Sequence, residues 1–245
     1  RATKRIVKVV TRHQVERVHV HSRRGADIGG GLAACKLGLP WVLSRRVDNH
    51  ERAWVVAAKY RLYDHVIAIS EGIRDVLIAD GLAPHKVSCV RSAVDWERFQ
   101  QPADKAGLTA HFDLPEDATV IGIAAQLIPR KGHDVLLEAL SDLVQRWPIL
   151  QVLVMGKGPS ESAIREQIRT LDLDRYVQLV GFVEDLEHVL PSLDFLVHPA
   201  RTEGLGVVLL QAASAGIPVS ACAPAGIPGA VCDTLTGLSV PRGAV

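Results

Sequence analysis

Two stretches of this chain carry residues in an order that could hold an anion. The first, Gln126-Leu127-Ile128-Pro129-Arg130-Lys131-Gly132-His133, follows an apolar run and opens an amphipathic one. A helix start offers free N–H groups and a partial positive charge, and Lys131 adds a full charge, so the loop could cradle a diphosphate. A lysine near a helix start is also commonly just solvated, and that reading stays open. The second stretch runs from His198 to Ala213 and places an acid, Glu203, ahead of Gly204 and Gly206 and an apolar helix. Glu203 could accept hydrogen bonds from hydroxyls while the glycines admit a ligand close to the backbone. Gln211, eight residues on, is expected about two helical turns along. The set suits a polyhydroxylated ligand bearing phosphate; the competing reading is a capped helix with a solvated glutamate.

Other chemistries lack their residues. Gly156-Lys157-Gly158-Pro159 is a glycine turn without the third glycine of a dinucleotide fingerprint, and neither G-x-G-x-x-G nor G-x-x-x-x-G-K-[ST] occurs. A Rossmann dehydrogenase and a P-loop NTPase are therefore unsupported. The four cysteines, Cys35, Cys89, Cys222 and Cys232, form no C-x-x-C pair, which suggests neither a structural metal nor a disulfide framework and fits a reducing cytosolic compartment. With 28 Lys plus Arg against 27 Asp plus Glu, no global field draws the protein to nucleic acid.

The elements that must position these loops follow from the hydrophobic pattern. Short β-rich runs occur at 18–21, 41–44, 65–69 and 86–90, separated by helix-like stretches near 26–37, 50–63 and 71–80. The polar stretch Gln100 to Pro115 reads as a loop and as the boundary between domains 1–105 and 106–245. Strand candidates then recur at 119–125, 151–155, 177–180, 194–197, 217–222 and 237–240. Between them, 133–146 carries Val135, Leu136, Leu140, Leu143 and Val144 on one helical face. Apolar strands alternating with helices predict α/β architecture with parallel sheets, whose ligands sit beyond the carboxyl ends of the strands.

Residues 1–24 hold eight basic residues and one acid, Glu16. They read either as a surface for anionic lipid or phosphate or, favoured by the interleaved Ile6, Val7, Val9 and Val10, as a solvated helix face. The uncharged run Gly204 to Cys232 is long enough to span a membrane, but Pro218, Pro224 and Pro228 and its glycines would break such a helix. No apolar signal-peptide core follows the basic start.

Several segments in order resemble the family 4 glycosyltransferases of the GT-B fold: His19-Val20-His21-Ser22, Ile69-Ser70-Glu71, Ser92-Ala93-Val94-Asp95, Gln126 to Gly132, Gly181-Phe182, and Glu203 to Pro218. The resemblance implies two Rossmann-like parallel-sheet domains, with a nucleotide-sugar held by the C-terminal one. It places Lys131 on the donor diphosphate and Glu203, the first acid of the family's E-x₇-E motif, on the donor sugar. Backbone groups at Gly204, Leu205 and Gly206 would meet sugar and phosphate oxygens, the Val207 amide the phosphate, and the main chain near Phe182 the base. His21 matches a histidine of the N-terminal domain that faces the transferred sugar.

Three positions depart from the family pattern. The second acid of E-x₇-E is Gln211, which offers the ribose a neutral acceptor. The common arginine ahead of Leu-x-x-x-Lys is Gln126, leaving one fewer cation. Asn-Gly at the interdomain turn is Ser92-Ala93. At 245 residues the chain is also shorter than two complete domains need, so the resemblance implies an incomplete N-terminal domain and truncation at both ends.

The function this implies is a retaining transfer of a hexose from a nucleotide-sugar, a UDP-sugar foremost, to a cell-surface glycan or glycolipid such as lipopolysaccharide. No metal and no cofactor are expected, since Lys131 and backbone amides would carry the departing charge. The work would be done in the cytoplasm, with peripheral contact at the inner, anionic face of the membrane as an open option. The alternatives are a non-catalytic nucleotide-binding remnant and a GT-B sugar-nucleotide epimerase.

Overall fold

The computed structural model describes residues 2–21, 26–222, 230–232 and 234–240. Ser22, Arg23 and Arg24 of the sequence reading, and Pro224, Gly226, Pro228 and Gly229 of the uncharged run, lie outside the described residues. The chain divides into two compact units, Arg1–Ser92 and Ala93–Val245.

The first unit opens on the basic helix α1 (Ala2–Arg12). Four parallel strands follow, β1 (Val18–His21), β2 (Trp41–Arg45), β3 (His65–Ala68) and β4 (Val87–Cys89), paired in chain order. Helices α2 (Ala26–Leu37), α3 (Ala53–Tyr60) and α4 (Glu71–Ala79) make the crossovers. Ser70 starts α4 as its cap, accepting from the Ile73 N–H at 3.3 Å. The core of this unit also buries charge. Lys59 lies 2.8 Å from Asp27 and 2.9 Å from Glu51, and Tyr60 donates to the other Glu51 oxygen at 2.8 Å. Burial in this acidic company raises the Tyr60 phenol far above its ordinary range.

The second unit holds β5 (Thr119–Ala124), β6 (Leu150–Met155), β7 (Val177–Gly181), β8 (Phe195–His198), β9 (Val219–Cys222) and β10 (Gly237–Val240). They form one parallel sheet in the order β10-β9-β8-β5-β6-β7. The strands are near-continuous apolar runs because both sheet faces are covered; all of β6 is buried. Helices α5 (Lys105–His111), α6 (His133–Arg146), α7 (Glu161–Thr170), α8 (Leu186–Val189) and α9 (Val207–Ser214) complete the unit. The buried stripe of α6 is Leu136, Leu137, Leu140 and Val144; Leu143 and Val135 are only half-buried, so the apolar face is turned slightly from the expected one.

One further expectation changes. The stretch 100–115 is not wholly loop: α5 lies within it, started by Asp104, whose carboxylate accepts from the Gly107 N–H at 2.8 Å. Phe99 and Leu108 are buried in the apolar core of the second unit. Among the described residues no helix is long and apolar enough to cross a membrane. The run from Gly204 instead supplies the helix α9 and the sheet strand β9.

Candidate active site

In the second unit β5 is followed by β6 on one side and has β8 on the other. The winding direction reverses there, so the crevice beyond the carboxyl ends of β5 and β8 is the topological switch point, where sheets of this kind bind ligands. The Lys131 loop leaves β5 and the Glu203 loop leaves β8.

The two loops meet through these side chains. Lys131 Nζ donates to Glu203 Oε2, with both side chains 12% exposed. The same carboxylate oxygen accepts from His198 Nε2 at 2.9 Å, and Oε1 faces the Gly204 N–H at 3.1 Å. Burial alone would push the Glu203 carboxyl upward. The His198 hydrogen bond and the Lys131 charge outweigh it and bring the pKa down from its ordinary 4.5 to about 2. Glu203 is therefore ionised throughout the neutral range, an acceptor rather than an acid. Lys131 closes a short turn, Pro129–Lys131, and Gly132 takes the left-handed conformation at φ +73°. A Cβ at Gly132 would lie 2.0 Å from the Pro199 carbonyl oxygen, so the two loops approach at a distance only glycine allows. Gly206, at φ +72°, turns the second loop into α9.

At the ends of β5, β6 and β7 lies a cavity of about 380 Å³. Gln126, Lys157, Phe182, Val183 and Gln211 are among its walls, and Phe182 is 62% exposed. Its volume suits a small organic ligand. Gln211 stands five residues into α9, which begins at Val207, so it is just over one helical turn in rather than two turns from Glu203.

These loops and this sheet lie inside the segment that identifies the chain. The family profile for glycosyl transferases group 1 matches residues 105–245. The chain belongs to this family. A D-inositol 3-phosphate glycosyltransferase of Saccharomonospora viridis is 37% identical over 172 residues, 65% of this chain and 39% of that protein. A GDP-mannose-dependent monoacylated alpha-(1-6)-phosphatidylinositol monomannoside mannosyltransferase of Corynebacterium glutamicum is 34% identical over 160 residues, 61% of this chain and 41% of that protein. The chain thus spans about two fifths of the length of these curated relatives. The crystal structure of Anabaena Alr3699/HepE in complex with UDP-glucose superposes with a TM-score of 0.88 at 21% identity, covering 98% of this chain and 68% of that one. That likeness shows the fold, and the two parallel-sheet units are those of GT-B glycosyltransferases.

The candidate residues of this glycosyl transferase chain fall into four groups. Lys131 and Glu203 are in contact. Gln126, Phe182 and Gln211 share the cavity at the ends of β5, β6 and β7. Gly204, Leu205 and Gly206 are buried in the loop between Glu203 and α9, and Val207 is 38% exposed at the start of α9. His21 belongs to the first unit, where it ends β1 with its ring stacked on His19 at 4.4 Å.

The sequence reading missed His198, His133, Asp134 and Arg201. His198 was within reach: alternation along β8 puts it on the buried face, where a polar group must find a partner. His133, the first residue of α6, is buried with no partner for Nε2. Burial, reinforced by the Lys131 and His198 charges and opposed by Asp134, holds its pKa down at about 4. Among the described residues no cluster of His, Cys, Asp and Glu could hold a metal ion.

Proposed function

We propose that this chain carries the donor site of a retaining glycosyltransferase that moves a hexose from a nucleotide-sugar to a glycan or glycolipid acceptor. The observation that carries the reading is the Lys131–Glu203 contact at the β5/β8 switch point, in the unit whose strand ends also form the cavity walled by Gln126, Phe182 and Gln211. A diphosphate placed over the Lys131 turn meets a full positive charge and the start of α6. A sugar beyond it meets the ionised Glu203 carboxylate, which accepts from hydroxyls, together with the backbone of Gly204, Leu205, Gly206 and Val207. The nucleoside occupies the cavity, its base near the Phe182 main chain and its ribose on the Gln211 amide. Lys131 and the amides stabilise the departing diphosphate as the acceptor attacks from the same face of the sugar. Glu203 binds rather than attacks.

Uracil is the base we favour, in line with the UDP-glucose complex of the Anabaena neighbour, while the Corynebacterium relative is named for GDP-mannose. Inositol phosphate and phosphatidylinositol in the relatives' names support a phosphorylated polyol or glycolipid as the acceptor class. The basic helix α1 offers a surface for an anionic acceptor membrane on the cytoplasmic side. The decisive assay incubates the chain with UDP- and GDP-sugars, with and without inositol phosphate, and analyses products. Glycoside formation or acceptor-free donor hydrolysis supports the transferase. An epimerised donor indicates epimerase chemistry, and nucleotide binding without turnover a non-catalytic remnant.

A further inference from the structure

Besides the Lys131–Glu203 contact, Arg201, between the end of β8 and Glu203, ties the Glu203 loop to the Lys131 loop. Arg201 lies two positions ahead of Glu203 in a segment without regular structure. Its backbone N–H donates to the Arg130 carbonyl at 2.8 Å, and Nη1 donates to the Pro129 carbonyl at 2.9 Å. The guanidinium also forks onto Asp134, Nη1 to Oδ1 at 2.8 Å and Nη2 to Oδ2 at 2.7 Å. Pro129 and Arg130 immediately precede Lys131, and Asp134 is the second residue of α6.

We propose that Arg201 is a positioning residue of the donor site: its bonds to residues on both sides of Lys131 set the register of the Glu203 loop and so the placement of Lys131 against Glu203. The proposal rests on the donor-site reading above for its functional meaning. The ion pair with Asp134 is 38% and 45% exposed, so as a bare surface pair it would add little stability. Its geometry is the reason it matters. A planar fork fixes two directions at once, and the carbonyl bond adds a third, which a lysine ammonium cannot reproduce. The Arg201 charge also holds the Asp134 carboxyl below its usual range, keeping the fork ionised well into acid.

The test compares the full chain with Arg201→Lys, which keeps the charge and loses the fork, and Arg201→Ala. One readout needs no ligand: NMR titration of the Glu203 carboxyl. Both variants should raise its midpoint by about one pH unit, because Lys131 no longer sits against it. A midpoint unchanged from the parent overturns the proposal. The second is calorimetry with UDP and with uridine. UDP affinity should fall about tenfold in Arg201→Lys, as expected of a misplaced charged group, while uridine affinity holds. Combined with Lys131→Ala, the loss should be smaller than the product of the single losses. Equal losses for UDP and uridine, or fully additive effects, overturn the proposal. A parent chain that binds no UDP removes the donor-site reading, and the Glu203 titration still decides whether Arg201 places the pair.

Discussion

The lysine assigned to the diphosphate is engaged by the carboxylate assigned to the sugar. A donor must therefore take Lys131 from Glu203, and removing Glu203's charge should make that easier. The structure bounds the effect. Glu203 is lowered from 4.5 to about 2 against the upward push of burial, so the net preference for its ionised form is about 3 kcal/mol and the partners that lower it supply more than that. His198 and Lys131 share the lowering, so release of the lysine is worth at least about 1 kcal/mol, or roughly fivefold or more in affinity. Glu203→Gln, which keeps the shape and one acceptor, should tighten UDP by that factor while weakening any preference for UDP-hexose over UDP. Lys131→Ala should act oppositely, losing about 1.5 to 3 kcal/mol of UDP affinity for a charge-assisted contact. It also leaves the Glu203 carboxylate near a dianion with only His198 and the Gly204 amide to compensate. Calorimetry of both variants at fixed salt and pH 7.5 measures the two effects. If Glu203→Gln binds UDP no better than the parent, the lysine serves carboxylate and phosphate at once, and the competition argument is refuted.

Three other outcomes follow from named contacts. Gln211→Glu should tighten UDP by about 1 kcal/mol through a charged ribose acceptor and slightly weaken pyrophosphate; equal changes for both ligands would detach residue 211 from the ribose. His133 has a folded pKa near 4, below its ordinary 6.5, so the unfolded chain binds a proton that the folded chain refuses between those values. Its contribution is complete above about pH 6.5 and lost as pH falls towards 4, about 3 kcal/mol over the window. Urea midpoints for the parent and His133→Leu should diverge in slope across it, and parallel pH profiles would show that His133 is not the titrating group. Lys59→Met strips the buried cation from Asp27 and Glu51 and should cost about 3 to 5 kcal/mol, seen as a lowered thermal midpoint of the first unit; a midpoint within 2 °C of the parent would contradict this account.

The parts of this molecule that were legible in the sequence share a physical cause. The ten strands among the described residues fall within two or three residues of their β-rich runs, and β6, covered on both faces, is buried along its whole length. The α5 helix was hidden because only Leu108 and Thr109 of its seven residues are buried, and its Asp104 cap looks like any polar loop residue. The placing of Lys131 and Glu203 at strand ends was readable from local order. That they touch was not, since they are 72 residues apart and the contact depends on β8 returning to the free side of β5. The same holds for Arg201 and Asp134, whose types and spacing carry no local signal and which acquire a role only when two loops are laid together. Motif and periodicity therefore report the groups that face a ligand, whereas the groups that aim them are set by topology. Mutation of the aiming groups should alter phosphate recognition while leaving the sheet and its apolar core intact.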